Sequence, residues 1–131
     1  MTKMSGLLAG FLTMQFGIAA ALADETNAAA DFGPCLACHS LDPNEKNLPG
    51  PNLADLKGRR LGGDQDFGYS PVFEQAFETG DVWTPELLDQ FLADPEGMFP
   101  GMWMSYQGLE DAARRSALVD FILLNGLSAT N

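Results

Sequence analysis

The run Cys35-Leu36-Ala37-Cys38-His39 constrains this chain more than any other feature, because it holds both cysteines and the one histidine. Two thiols two residues apart can each form a thioether with a haem vinyl group. The imidazole beside the second thiol is then held under the iron as an axial ligand. C-x-x-C-H is thus the attachment signature of c-type haem. Other uses of these side chains fit less well. A structural zinc site takes four ligands, and beyond these three side chains only carboxylates remain. A thioredoxin-like C-x-x-C opens a helix in a βαβ setting, and no convincing strand precedes this one. A plain disulfide leaves His39 unexplained. The run predicts one haem c, covalently bound through Cys35 and Cys38.

The chain starts Met1-Thr2-Lys3, continues with an apolar stretch from Leu7 to Leu22, and reaches Ala21-Leu22-Ala23 before Asp24-Glu25. A basic start, an apolar centre and an A-x-A site describe a secretory signal peptide, residues 1–23, cut after Ala23. The alternative is an uncleaved anchor, but the stretch is near the lower limit for spanning and contains Gly10, Gln15 and Gly17. Either reading places the folded part outside the cytoplasm, in the periplasm. Residues 24–131 read as one small domain. So short a chain has a limited core, and a large apolar cofactor would help it fold. Nothing after Ala23 is long and apolar enough to cross a membrane.

All 18 acidic residues follow Ala23, and losing Lys3 with the leader takes the formal charge from −11 to −12. Haem propionates add to that. Nucleic acid needs a basic footprint and is excluded as a partner. Anionic lipid is disfavoured for the same reason. The acidity serves solubility or selects a partner with a basic docking face.

The folded part reads as all-α: short helices between long turns, with no alternating run long enough for a sheet. A first helix covers roughly Asn27 to Phe32, and Gly33-Pro34 interrupt it before the motif. The segment from Leu41 to Gly68 is rich in Gly, Pro, Asn and Asp, which is loop chemistry. Wrapping a cofactor gives so long a loop a purpose. Ser70-Pro71 starts a helix with Val72, Phe73, Ala76 and Phe77 on its apolar face, ended by Gly80. Thr84-Pro85-Glu86 starts another, burying Leu87, Leu88, Phe91 and Leu92 and stopped by Pro95. The last begins near Glu110-Asp111, buries Ala117, Leu118, Phe121 and Ile122, and ends before Gly126.

An iron held by one His needs a sixth ligand, and the chain has no second His. A soft thioether is the natural candidate. Met98, Met102 and Met104 all lie in or beside the turn-rich segment Phe99-Pro100-Gly101-Met102-Trp103-Met104. Spacing alone does not choose among them.

These residues together resemble a class I cytochrome c of the mitochondrial and bacterial c2 type, over nearly all of residues 24–131. Gly50-Pro51-Asn52-Leu53 follows the motif at the family's spacing, and the resemblance implies that Pro51 supports His39. It implies a propionate bond from Arg59 in Gly58-Arg59, and places Tyr69 of Phe67-Gly68-Tyr69-Ser70 at the haem's lower edge. Trp83 stands where the family has a Trp that packs on haem and donates to a propionate. Pro100 to Gly108 resembles the P-G-x-x-M-x-F-x-G loop and puts the axial sulfur on Met104. Leu118 and Phe121 match the C-terminal helix. The implied fold is the small cytochrome c fold, helices and loops wrapped around one haem.

The chain departs from the family in several places. Asn27 and Asp31 replace the Gly and the aromatic residue by which the first helix packs on the last, with Phe32 next to Asp31. Phe91 replaces the Tyr that commonly bonds the axial Met, and Met102 replaces a Thr. Glu96, Gly97 and Trp103 stand where many relatives carry lysines around the haem edge. The resulting expectation is a monomeric periplasmic single-electron carrier, not an enzyme, with His39 and Met104 as iron ligands. It would dock transiently on redox partner proteins, with Met98, Phe99, Met102 and Trp103 as candidates for the apolar centre of that contact. The alternative is a haem enzyme or gas sensor whose Met ligand lets go.

Overall fold

The computed structural model describes residues 27–127. The expected leader, residues 1–23, lies outside them. Residues 27–32 are helical (α1), and a 3-10 turn, Gly33–Ala37, carries the chain into the cysteine motif. After a long irregular stretch come α2 (Pro71–Thr79), α3 (Pro85–Ala93), the single turn α4 (Pro95–Met98) and α5 (Ala112–Asn125). The described residues contain no strand, only an isolated antiparallel bridge between Arg60 and Val82. The all-α expectation holds, and no described helix is long and apolar enough to cross a membrane.

Local chemistry sets the helix ends. Pro71, Pro85 and Pro95 each occupy a first-turn position, where a missing N–H costs nothing. Thr84 Oγ1 accepts from Leu87 N–H at 3.1 Å, and Asp94 Oδ1 accepts from Gly97 N–H at 3.0 Å. Asp111 Oδ1 accepts from both Ala113 and Arg114 N–H at 3.0 Å. Ser70 differs from expectation. Its side chain makes no capping bond; its backbone carbonyl accepts from Phe73 and Glu74 instead. Gly80 closes α2 at φ 82°, a left-handed conformation that glycine adopts without strain.

The helices bury one shared core. Phe73 and Ala76 of α2, Leu88, Phe91 and Leu92 of α3, and Leu118, Val119, Ile122 and Leu123 of α5 are all buried. In α5 the buried face is rotated from the expected one. Leu118 and Ile122 lie inside as anticipated, Ala117 and Phe121 are only half-buried, and Val119 and Leu123 take their place. In α2, Val72 and Phe77 are likewise half-buried.

The α1–α5 contact replaces what the family's residues would supply. Phe32 is buried and its ring packs on Phe121, centroids 5.5 Å apart. Asp31 forms a two-armed ion pair with Arg114: Nε donates to Oδ2 at 3.1 Å and Nη2 to Oδ1. The aromatic role has moved one residue along, and a salt bridge fills the vacated position.

A second arginine ties α3 to α5. Arg115 donates to Asp89 through Nε (2.9 Å) and Nη2 (3.3 Å), and through Nη1 to the carbonyls of Leu109 and Glu110. Its side chain is only 13% exposed. Arg115→Ala leaves Asp89 and two carbonyls without these donors. We expect a loss of about 2 kcal/mol, read as a lower midpoint in urea at unchanged m-value.

Candidate functional site

The 3-10 turn presents the motif. The Cys35 carbonyl accepts from Cys38 N–H at 3.0 Å and from His39 N–H at 2.8 Å. This tight reversal holds Cys35 against the core, half-buried, and leaves Cys38 exposed. Both thiols are free. Burial pushes the Cys35 thiol up, with the neighbouring Cys38 adding to the effect, so its proton is retained.

His39 is fixed from two sides. Its Nδ1 donates to the Pro51 carbonyl at 2.7 Å, and its ring lies flush against Gly50. A carbonyl can only accept, so Nδ1 carries the proton and Nε2 keeps its lone pair. No hydrogen bond among the described residues engages Nε2. Burial lowers the imidazole pKa, more than the Pro51 bond raises it, which keeps the ring neutral. A neutral imidazole with a fixed tautomer and one free nitrogen is the state that binds a metal. Gly50 N–H in turn donates to the Cys38 carbonyl at 2.8 Å, linking the support to the motif.

The long loop supplies the rest of this side. Arg59 Nη2 donates to the Asn52 carbonyl at 2.6 Å. Arg59 also shares backbone bonds with the Trp83 segment: Trp83 N–H donates to its carbonyl at 2.9 Å. Tyr69 accepts from Asp64 N–H at 3.3 Å, and burial raises its phenol pKa. Trp83 is buried. The Tyr69, Phe73, Trp83, Phe91 and Phe99 rings form one aromatic wall, with Phe73–Phe99 at 4.6 Å and Trp83–Phe91 at 5.3 Å. Phe91, where a hydroxyl was anticipated in relatives, belongs to this wall.

The methionine segment joins the same core. Met102 is buried, whereas Met104, Met98 and Phe99 are half-buried against the same core. Trp103 is 68% exposed. Of the four side chains anticipated at a docking face, Trp103 alone is exposed; Met102 belongs to the interior, because the turn at Gly101 (φ 83°) directs it inward.

Cys35, Tyr69, Trp83 and Met104 thus share one core, and Pro51 and Arg59 brace the His39 side of it. Two free thiols, an unengaged imidazole nitrogen, a thioether and an aromatic wall are the donor set and lining that a covalently held haem requires. No group of three His, Cys, Asp or Glu side chains among the described residues could hold a bare metal ion.

Three further residues join the site without having been singled out as ligands. Gly50 gives the His39 ring its room. Asn52 ties the loop together, donating to the Asp42 and Glu45 carbonyls and accepting from Ala54 N–H. Asp64 accepts from Asn52 N–H at 3.0 Å. Only Gly50 and Asn52 carried a signal, through the Gly-Pro-Asn-Leu run.

No family profile matches the chain. Individual relatives do. It is 38% identical over 91 residues to cytochrome c-550 of Ancylobacter novellus, covering 70% of this chain and 85% of that one. It is 34% identical over 105 residues to cytochrome c2 of Agrobacterium tumefaciens, covering 80% and 95%. The likeness to cytochrome c2 of Blastochloris viridis, 33% over 120 residues, covers 91% and 92%.

Proposed function

This chain belongs to the class I c-type cytochromes of the c2 type, and we propose that it is a periplasmic single-electron carrier with His39 and Met104 as its axial ligands. It carries one haem c, attached through Cys35 and Cys38, and its activity is electron transport. When bound, the haem supplies a one-electron ferrous–ferric couple. The protein's residues determine how that couple behaves.

The observation that carries the ligand assignment is the His39 ring, neutral, fixed by Pro51 and free at Nε2. Met104 would hold the iron through a soft sulfur, which favours the ferrous state and raises the potential. The aromatic wall excludes water and works in the same direction, since low dielectric disfavours the added charge of the ferric state. Trp83, Tyr69 and Arg59 orient the cofactor's edge. No side chain here moves a proton, and none is required by one-electron transfer, so we assign no enzymatic reaction. Residues 1–23 export the chain and are removed after Ala23.

Protein purified from cells competent for cytochrome maturation tests this reading. It should hold haem through denaturation and titrate reversibly as a one-electron couple. Colourless protein with both thiols open to alkylation would sink it.

Docking should be transient and steered by charge. The acidic surface selects a partner with a basic face, and Trp103 supplies an exposed aromatic anchor beside Met104. The transfer rate to such a partner should fall as ionic strength rises. Trp103→Ala should lower the second-order rate about tenfold at low salt, because exposed Trp side chains dominate small interfaces. Stopped-flow mixing measures both. A rate that climbs with added salt, or that ignores the loss of Trp103, contradicts this docking mode.

A further inference from the structure

We propose that Asp64 is a positioning residue that lowers the reduction potential through the Pro51–Asn52 peptide. The inference rests on His39 as the iron ligand. The Pro51 carbonyl accepts the His39 Nδ1 proton at 2.7 Å. The N–H of that same peptide, on Asn52, donates to Asp64 Oδ2 at 3.0 Å. One peptide unit is therefore pulled from both ends, by an imidazole N–H and by a carboxylate.

The physics has a definite sign. A carboxylate on the N–H shifts peptide electron density toward the carbonyl oxygen. A more negative oxygen draws the Nδ1 proton harder, and the ring becomes a better donor at Nε2. A better donor stabilises the ferric state, so the potential falls. The charge of Asp64 acts in the same sense through space. Arg59, on the next carbonyl at Asn52, has the opposite charge and partly offsets it.

The Asp64 carboxylate is held in place for this role. Its Oδ1 accepts from Asp66 N–H at 3.0 Å, and its own N–H donates to the Tyr69 hydroxyl. It is half-buried, in contrast to Asp66, whose side chain is 68% exposed and paired with Lys46. Asp66 is thus a matched comparator: the same charge and loop, a more exposed and better-screened carboxylate, and no bond to Asn52.

The experiment compares holoprotein variants Asp64→Asn and Asp66→Asn. Asn at 64 retains one acceptor for Asn52 N–H while the charge is gone. The midpoint should rise in Asp64→Asn, so that the ferric-to-ferrous ratio at a fixed applied potential drops about three- to tenfold. Asp66→Asn should leave it unchanged. In the reduced protein, the His39 Nδ1 proton resonance should move upfield in Asp64→Asn only, a direct readout of the His39–Pro51 bond. Asp64→Ala, which removes the acceptor as well, should shift the midpoint at least as far. Equal midpoints for Asp64→Asn and Asp66→Asn would overturn the role of Asp64. The ligation beneath it is read separately: the His39 ring protons should be strongly shifted by the ferric iron. Their absence from the shifted region would overturn the ligand assignment instead.

Discussion

Met104→Ala is expected to abolish the weak long-wavelength sulfur-to-iron band of the ferric protein, whereas Met102→Ala should retain it. The two side chains are two residues apart, and sequence spacing does not separate them. Burial does. Met102 is 8% exposed and belongs to the buried core, while Met104 is half-buried at its margin. Loss of Met104 removes a soft donor that favours the ferrous state. The midpoint should then fall by a sizeable part of the ~0.8 V range that axial ligands span. Carbon monoxide should also bind the reduced variant, through the coordination position that the sulfur no longer fills. Met102→Ala has a different cost. Emptying a buried Met site destabilises by about 2–5 kcal/mol, and the haem spectrum should be unaffected. Absorption spectra and potentiometric titration of the two variants separate these roles. The converse pattern, with the band lost only in Met102→Ala, would transfer the ligand to Met102.

The parts of the site that lie close together in sequence were legible before the structure. Cys35, Cys38 and His39 occupy one 3-10 turn and its immediate exit, and local spacing alone identifies their chemistry. The helix starts at Pro71, Pro85 and Ala112 follow from cap and proline chemistry that acts within four residues. What depended on contacts distant in sequence was less legible. Asp31 and Arg114 are 83 residues apart, and nothing local marks them as partners. That pair explains why α1 can dock on α5 without the usual aromatic residue: Phe32 supplies the ring and Asp31 the tie. The buried face of α5 differs from the expected one for a related reason. Its apolar residues are spread broadly round the helix, so which of them face inward is decided by the neighbours. Here α3 on one side and Phe32 against Phe121 on the other turn Val119 and Leu123 inside. In the sequence Asp64 is one acidic loop residue among several. Only the fold shows that it bonds the peptide supporting His39.

Gly50→Ala should cost about 2–4 kcal/mol and sharply reduce the yield of haem-bearing protein. A methyl group at this position would lie 2.6 Å from His39 Cε1, 2.9 Å from Nδ1 and 3.0 Å from the Cys38 carbonyl. None of the three neighbours yields easily. The carbonyl belongs to the motif's own backbone and already accepts from Gly50 N–H. The ring is anchored by its bond to Pro51, and iron at Nε2 would anchor its other edge. Relief therefore requires the imidazole to tilt, which breaks the 2.7 Å bond and misdirects the lone pair. Two comparators isolate the cause. Gly33→Ala, on the other flank of the motif, meets no atom within 4 Å and should leave yield and stability close to wild type. Pro51→Ala keeps the carbonyl that His39 uses and loses only ring rigidity, so a loss of about 1 kcal/mol is expected. Denaturation midpoints and the ratio of haem absorbance to protein give the ranking. The order of damage should be Gly50→Ala, then Pro51→Ala, then Gly33→Ala. A Gly50→Ala protein with wild-type midpoint and full haem content would mean that the imidazole is not held where this arrangement puts it.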